Sequence, residues 1–99
     1  PTLKKDINYD DFSALDIRVA TILQAERVPK TDKLMQLKLD VGVEVRTVVS
    51  GIAQHYTPEQ LIGQKVTYLA NLAPRNLKGI LSHGMILMAE NELGELSLL

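Results

Sequence analysis

Residues 57–63 read TPEQLIG, a single helical turn with its start and stop signals written in. Thr57 offers a hydroxyl at the N-cap, Pro58 takes the first helical position, and Gln60 stands three residues after the cap, where its side chain reaches back. Gly63 ends the turn almost at once. The sequence on either side is strand. Before the helix, Val45 to Val49 reads as strand with Arg46 on one face, and Gly42 sits at a hairpin turn. Leu37, Leu39 and Val41 alternate with Lys38 and Asp40, the period of a half-buried strand. Val28-Pro29-Lys30-Thr31-Asp32-Lys33 is a turn, and before it Ile17, Val19 and Thr21 alternate with Arg18 and Ala20. After the helix come strand at Val66 to Ala70, a polar loop, strand again at Met85 to Glu90, and a last short strand at Glu95 to Leu98.

Three strands, a short helix and two or more further strands predict an all-β fold. The expectation is a five-stranded Greek-key barrel of the OB type, with the short helix between strands three and four. An open sandwich is the structural alternative. Asp10 to Leu15 predicts one helical turn that presents Phe12 and Leu15 to the core. Asp10 and Asp11 then read as helix-start residues rather than as an acid and base. Residues 1–9, polar with Lys4, Lys5 and Asp6, read as a lead-in or linker, leaving 10–99 as one domain. The opening Pro1 suggests a piece of a longer chain.

Composition excludes several functions. With no cysteine there is no disulfide and no thiolate metal site, which fits a reducing compartment. His55 and His83 lack any HxxxH spacing, so no metal or cofactor site is expected. There is no GxSxG elbow, no P-loop and no dinucleotide fingerprint. The apolar runs are too short to span a bilayer, so no membrane partner is expected. A binding module is the reading that remains.

The charge distribution indicates what is bound. Net charge is −1, yet no Asp or Glu occurs from Gln60 to Ala89. That stretch carries Arg75 and Lys78 in its loop, a local cationic surface suited to a polyanion. In an OB barrel the loop between strands one and two and the loop between strands four and five border one groove. Those loops hold Lys30 and Lys33, and Arg75 and Lys78. Four phosphate contacts give a log–log salt slope of about −3 to −4. Only four aromatic residues exist, and Phe12 is expected to be buried. So ring-poor a groove suits structured RNA, read by backbone shape, better than a single strand stacked on exposed rings.

Six ordered motifs add a resemblance. Phe12-x-x-Leu15-Asp16-Ile17-Arg18-Val19, Asp32-Lys33-Leu34, Arg46-Thr47-Val48-Val49-Ser50-Gly51-Ile52, Tyr56-x-Pro58-Glu59-x-Leu61-x-Gly63, Asn71-Leu72-x-Pro74-Arg75 and Ser82-x-Gly84-Met85 follow one another. Together they resemble the tRNA-binding domain at the C-terminus of bacterial methionyl-tRNA synthetases, a domain that also occurs in free-standing structure-specific tRNA-binding proteins. The resemblance implies an OB barrel that binds tRNA by shape, and a homodimer. It further implies a catalytic core elsewhere in the same polypeptide, a cytoplasmic setting and no catalysis in this chain. By motif it implies Lys33, Asn71, Arg75, Ser82 and Met85 as tRNA-facing, with Arg46 and Lys78 as neighbours. Lys33, Arg46, Arg75 and Lys78 would meet phosphates. Asn71 and Ser82 would hydrogen-bond ribose or base, and Met85 would serve the groove or the core. A free-standing tRNA-binding protein and a peptide-binding export chaperone of the CsaA type, which has the same barrel, are the alternatives.

Overall fold

The computed structural model describes residues 2–99. Its elements are α1 (Tyr9–Ser13), β1 (Ile17–Arg27), β2 (Met35–Asp40), β3 (Val45–Ser50), α2 (Pro58–Leu61), β4 (Lys65–Leu69), β5 (Arg75–Leu77), β6 (Ile80–Ser82), β7 (Met85–Ile86), β8 (Met88–Glu90) and β9 (Leu96–Leu98). Five of the strands form one antiparallel sheet in the order β3-β2-β1-β4-β7. β1 makes the curvature. Its first half, Ile17 to Thr21, pairs with β4, and its second half, Thr21 to Arg27, pairs with β2. The register shifts between Ile22 and Gln24, a bulge that bends the strand from one partner to the other. The far edge returns to β3, where the His83 N–H donates to the Thr47 carbonyl (3.0 Å) and the Val49 N–H donates to the Ser82 hydroxyl (2.9 Å). The result is a nearly closed all-β barrel of the expected type, with α2 between β3 and β4.

Alternation along the strands fills the interior. Met35, Leu37 and Leu39 on β2, Val48 on β3, and Val66 and Tyr68 on β4 are all buried, and Leu61 of α2 closes one end. Burying each such side chain contributes roughly 1.5–3 kcal/mol. The α2 turn forms as its sequence dictates. The Thr57 hydroxyl accepts from Gln60 N–H (3.4 Å), and the Gln60 side chain accepts from Thr57 N–H (2.8 Å).

Two expectations change. α1 does not pack into the core. It is a five-residue turn with no buried residue, and Phe12 is 51% exposed, resting against the Tyr9 ring. α1 stays outside the barrel, its first turn capped reciprocally by Asn8 and Asp11. The inward face of β1 is Ala20 and Ile22, while Ile17 and Val19 face solvent, Val19 at 69% exposure. The Met85–Glu90 strand is split at Leu87. β7 pairs with β4, and β8 pairs with β9 in a separate C-terminal hairpin. That hairpin is held to the barrel by the Tyr56 hydroxyl, which donates to the Leu96 carbonyl (3.2 Å).

The stretch read as a basic loop contains structure of its own. β5 and β6 pair directly, Leu77 opposite Ile80, leaving Lys78 and Gly79 as a two-residue turn. Both have positive φ, +52° and +82°, the signature of a type I′ hairpin. Asn76 Oδ1 accepts the Gly79 N–H (2.9 Å) and braces the turn. Lys78 thus stands at the tip of a rigid projection.

Candidate functional site

Two segments meet at one end of the barrel. The β1–β2 loop is pinned by the Val28 N–H, which donates to the Leu34 carbonyl (3.1 Å), and by the Ala53 N–H, which donates to the Lys33 carbonyl (2.9 Å). Arg27 Nη1 donates in turn to the Ala53 carbonyl (2.6 Å), so three segments share one brace. The backbone of Lys33 is therefore fixed while its side chain is exposed. Opposite stands the tip of the β5–β6 hairpin. Lys30, Asp32, Lys33 and Lys78 line a common cleft of about 310 Å³. Separated bases, Lys33 and Lys78, thus converge as the barrel topology predicts.

At its base the same hairpin borders a second cleft of about 160 Å³, where Arg75 and Met85 face Ser50 and Gly51 at the end of β3. Met85 is 43% exposed, on the groove side rather than in the core. Gly84 beside it has φ +82°, and a Cβ there would sit 2.5 Å from the Leu69 carbonyl oxygen and collide with the Tyr68 hydroxyl. Only glycine lets the chain pass so close to β4.

Three other sequence-predicted residues have internal partners. Arg46 Nη1 donates to the Ala70 carbonyl (2.7 Å) and its Nε to Glu44 (3.0 Å), strapping β3 to the end of β4. The Tyr68 phenol and then Glu44 raise the Arg46 pKa above its ordinary value, so its charge is constant. Asn71 Oδ1 accepts the Asp16 N–H (2.9 Å) and its Nδ2 donates to the Ala14 carbonyl (2.7 Å). Its amide is spent on the joint between α1 and β1. Ser82 is buried, its hydroxyl occupied by Val49. These three share a feature: each side chain reaches a main-chain group on another segment of the barrel.

Lys30, Lys33, Arg75 and Lys78 form no salt bridge among the described residues, where the ion pairs are Arg18–Asp16 and Arg46–Glu44. Asp32 is the one acid that lines the lysine cleft. Sequence reasoning missed the apolar lining of the second cleft, Leu72 and Leu77, which falls in a stretch without strand alternation. Among the described residues no three potential ligands cluster for a metal, and no helix is long and apolar enough to cross a membrane.

Comparison with known proteins is consistent with this geometry. Residues 17–99 match the family described as "Putative tRNA binding domain". The methionine–tRNA ligase of Bacteroides fragilis is 60% identical over 95 residues, covering 96% of this chain and 14% of the ligase. The chain thus spans about 14% of the length of the curated relatives it matches. Among solved structures, a MetRS-related protein from Pyrococcus horikoshii superposes with TM-score 0.92 at 36% identity, covering 97% of this chain and 88% of that one. The chaperone CsaA from Bacillus anthracis superposes at 0.85 with 31% identity, covering 96% and 88%.

Proposed function

This chain belongs to the tRNA-binding domain family, and on that premise we propose that it grips folded tRNA by its phosphate outline, through Lys30, Lys33, Arg75 and Lys78. The observation that carries the reading is the cleft shared by the β1–β2 loop and the hairpin tip, where three lysines converge against one aspartate. A lysine ammonium meets phosphate as a point charge, and Arg75 adds a planar fork. Arg46, Asn71 and Ser82 act beneath this surface, holding the strand ends that present it. No cofactor is needed for such binding.

The relatives suggest the setting. A domain of this kind, attached to a methionine–tRNA ligase in the cytoplasm, holds tRNA near the catalytic core. A short linker raises the effective tRNA concentration there to the millimolar range. Dimerisation is part of the same proposal. Ile17 and Val19 share the outer face of β1, and with Phe12 and Leu15 of the preceding segment they leave four large apolar side chains exposed. An apolar row of this kind is what a second copy would cover.

Filter binding tests the main reading. Folded tRNA should bind more tightly than an unstructured RNA of the same length; equal affinity would remove shape readout. Sedimentation at tens of micromolar, where a micromolar interface holds, should give a dimer that Val19→Asp converts to monomer. A wild-type monomer would remove the dimer.

A further inference from the structure

The 160 Å³ cleft differs in kind from the lysine cleft beside it. Its walls are Leu72 and Leu77 on the hairpin side and Val49 on β3, with Met85 and Ile86 of β7 beneath. Arg75 stands at the rim, and Ser50 brings a hydroxyl. The flanking cations have no ion pair among the described residues, and the chain from Gln60 to Ala89 has no acid. An apolar slot bordered by uncompensated positive charge calls for a ligand with a flat apolar group hung on an anionic backbone. An unpaired nucleobase of an RNA fits that description.

Size narrows the choice. A cavity of roughly 150 Å³ with apolar walls accepts one benzene ring. The cleft here therefore holds one six-membered ring. Met85 offers a polarizable thioether to a ring face or edge, and Ser50 offers a hydroxyl donor to a carbonyl oxygen on a pyrimidine's edge, while Arg75 at the rim holds the adjoining phosphate.

We propose that this cleft takes a single unpaired pyrimidine, extruded from the RNA whose phosphates the lysines hold. The proposal rests on the tRNA-binding reading and adds to it a contact that depends on a base. It makes the domain sensitive to unpaired positions as well as to the shape of the backbone.

Gly51 provides the test. It lines the cleft, its φ is not positive, and a Cβ built on it meets nothing within 4 Å. Gly51→Phe therefore adds bulk at the cleft's edge without displacing the core. The probes are an RNA hairpin with one bulged uridine and the same hairpin with an abasic residue in the bulge. The abasic change should weaken binding to the wild type about tenfold, near the lower end of what burying one apolar group of this size contributes. Gly51→Phe should bind the uridine hairpin as weakly as the wild type binds the abasic one, and should bind both hairpins alike. Leu72→Ser, at an exposed site, should give a smaller loss in the same direction. The salt slope should stay unchanged in all three cases, because no phosphate contact is lost. Equal binding of the two hairpins by the wild type would overturn the base contact while leaving salt-dependent RNA binding intact. Loss of apolar-peptide binding in Gly51→Phe with RNA affinity unchanged would also overturn it, in favour of a peptide side chain. Absence of RNA binding by the wild type would remove both readings.

Discussion

Leu37 and Leu81 are both strand leucines, and their surroundings could hardly differ more. Leu37, on β2, is 0% exposed and packed in the barrel interior; Leu81, on β6, is 60% exposed. The difference runs through the two regions they represent. In the wall made by β1, β2 and β3, β2 buries every second residue and β1 and β3 bury two each, whereas from Asn71 to Leu81 no residue is buried. That excursion is a hairpin held by its own turn and by its root at Ser82. The wall stores the stability of the molecule. The hairpin carries cations outward to a place where the wall's own loop presents two more. Binding surface is thus added to the barrel at little cost to its core.

The comparison gives a graded series of outcomes. Leu37→Ala should destabilise by about 2–5 kcal/mol, because it leaves a cavity among fixed neighbours, while Leu81→Ala should stay within about 0.5 kcal/mol. Thermal or urea unfolding of both variants checks this, and comparable losses would erase the distinction. Ser82→Ala removes the acceptor for the buried Val49 N–H and should cost about 1–3 kcal/mol. If Ser82 faced RNA instead, the same variant would melt like the wild type and bind less tightly. Asn71→Ala breaks the links to Ala14 and Asp16 and should cost roughly 1–2 kcal/mol, for two exposed hydrogen bonds. Its tRNA salt slope should be unaltered, and a shallower slope would give Asn71 a direct share in the interface.

Legibility in the sequence followed the range of the interactions. The α2 turn was readable because its cap is local, with Thr57 and Gln60 three residues apart. The order of the barrel strands was readable from alternation, because one face of each meets the core. The β5–β6 hairpin was not, since neither face of it is buried and its turn is Lys-Gly rather than the Asn-Gly or Asp-Gly that advertises positive φ. The internal partners of Arg46 and Ser82 were not legible, because they are remote in sequence. Ala70 lies 24 residues from Arg46, and Val49 lies 33 from Ser82. Alternation did not tell which face of β1 points inward. Ile17 and Val19 are as apolar as the set that is buried, Ala20 and Ile22, so composition alone did not choose between the faces. The convergence of Lys33 with Lys78 was legible, because it follows from the topology of the barrel and needs no side-chain detail.

That convergence is most directly tested by the salt dependence of tRNA binding to Lys33→Ala/Lys78→Ala, with Lys38→Ala as the control on the outer face of β2. The two cleft lysines should together make the log–log slope shallower by about 1.5–2, with unfolding unchanged and the control indistinguishable from wild type. An unaltered slope in the double variant, or an equal change in Lys38→Ala, would contradict the assignment of this cleft to the phosphate backbone.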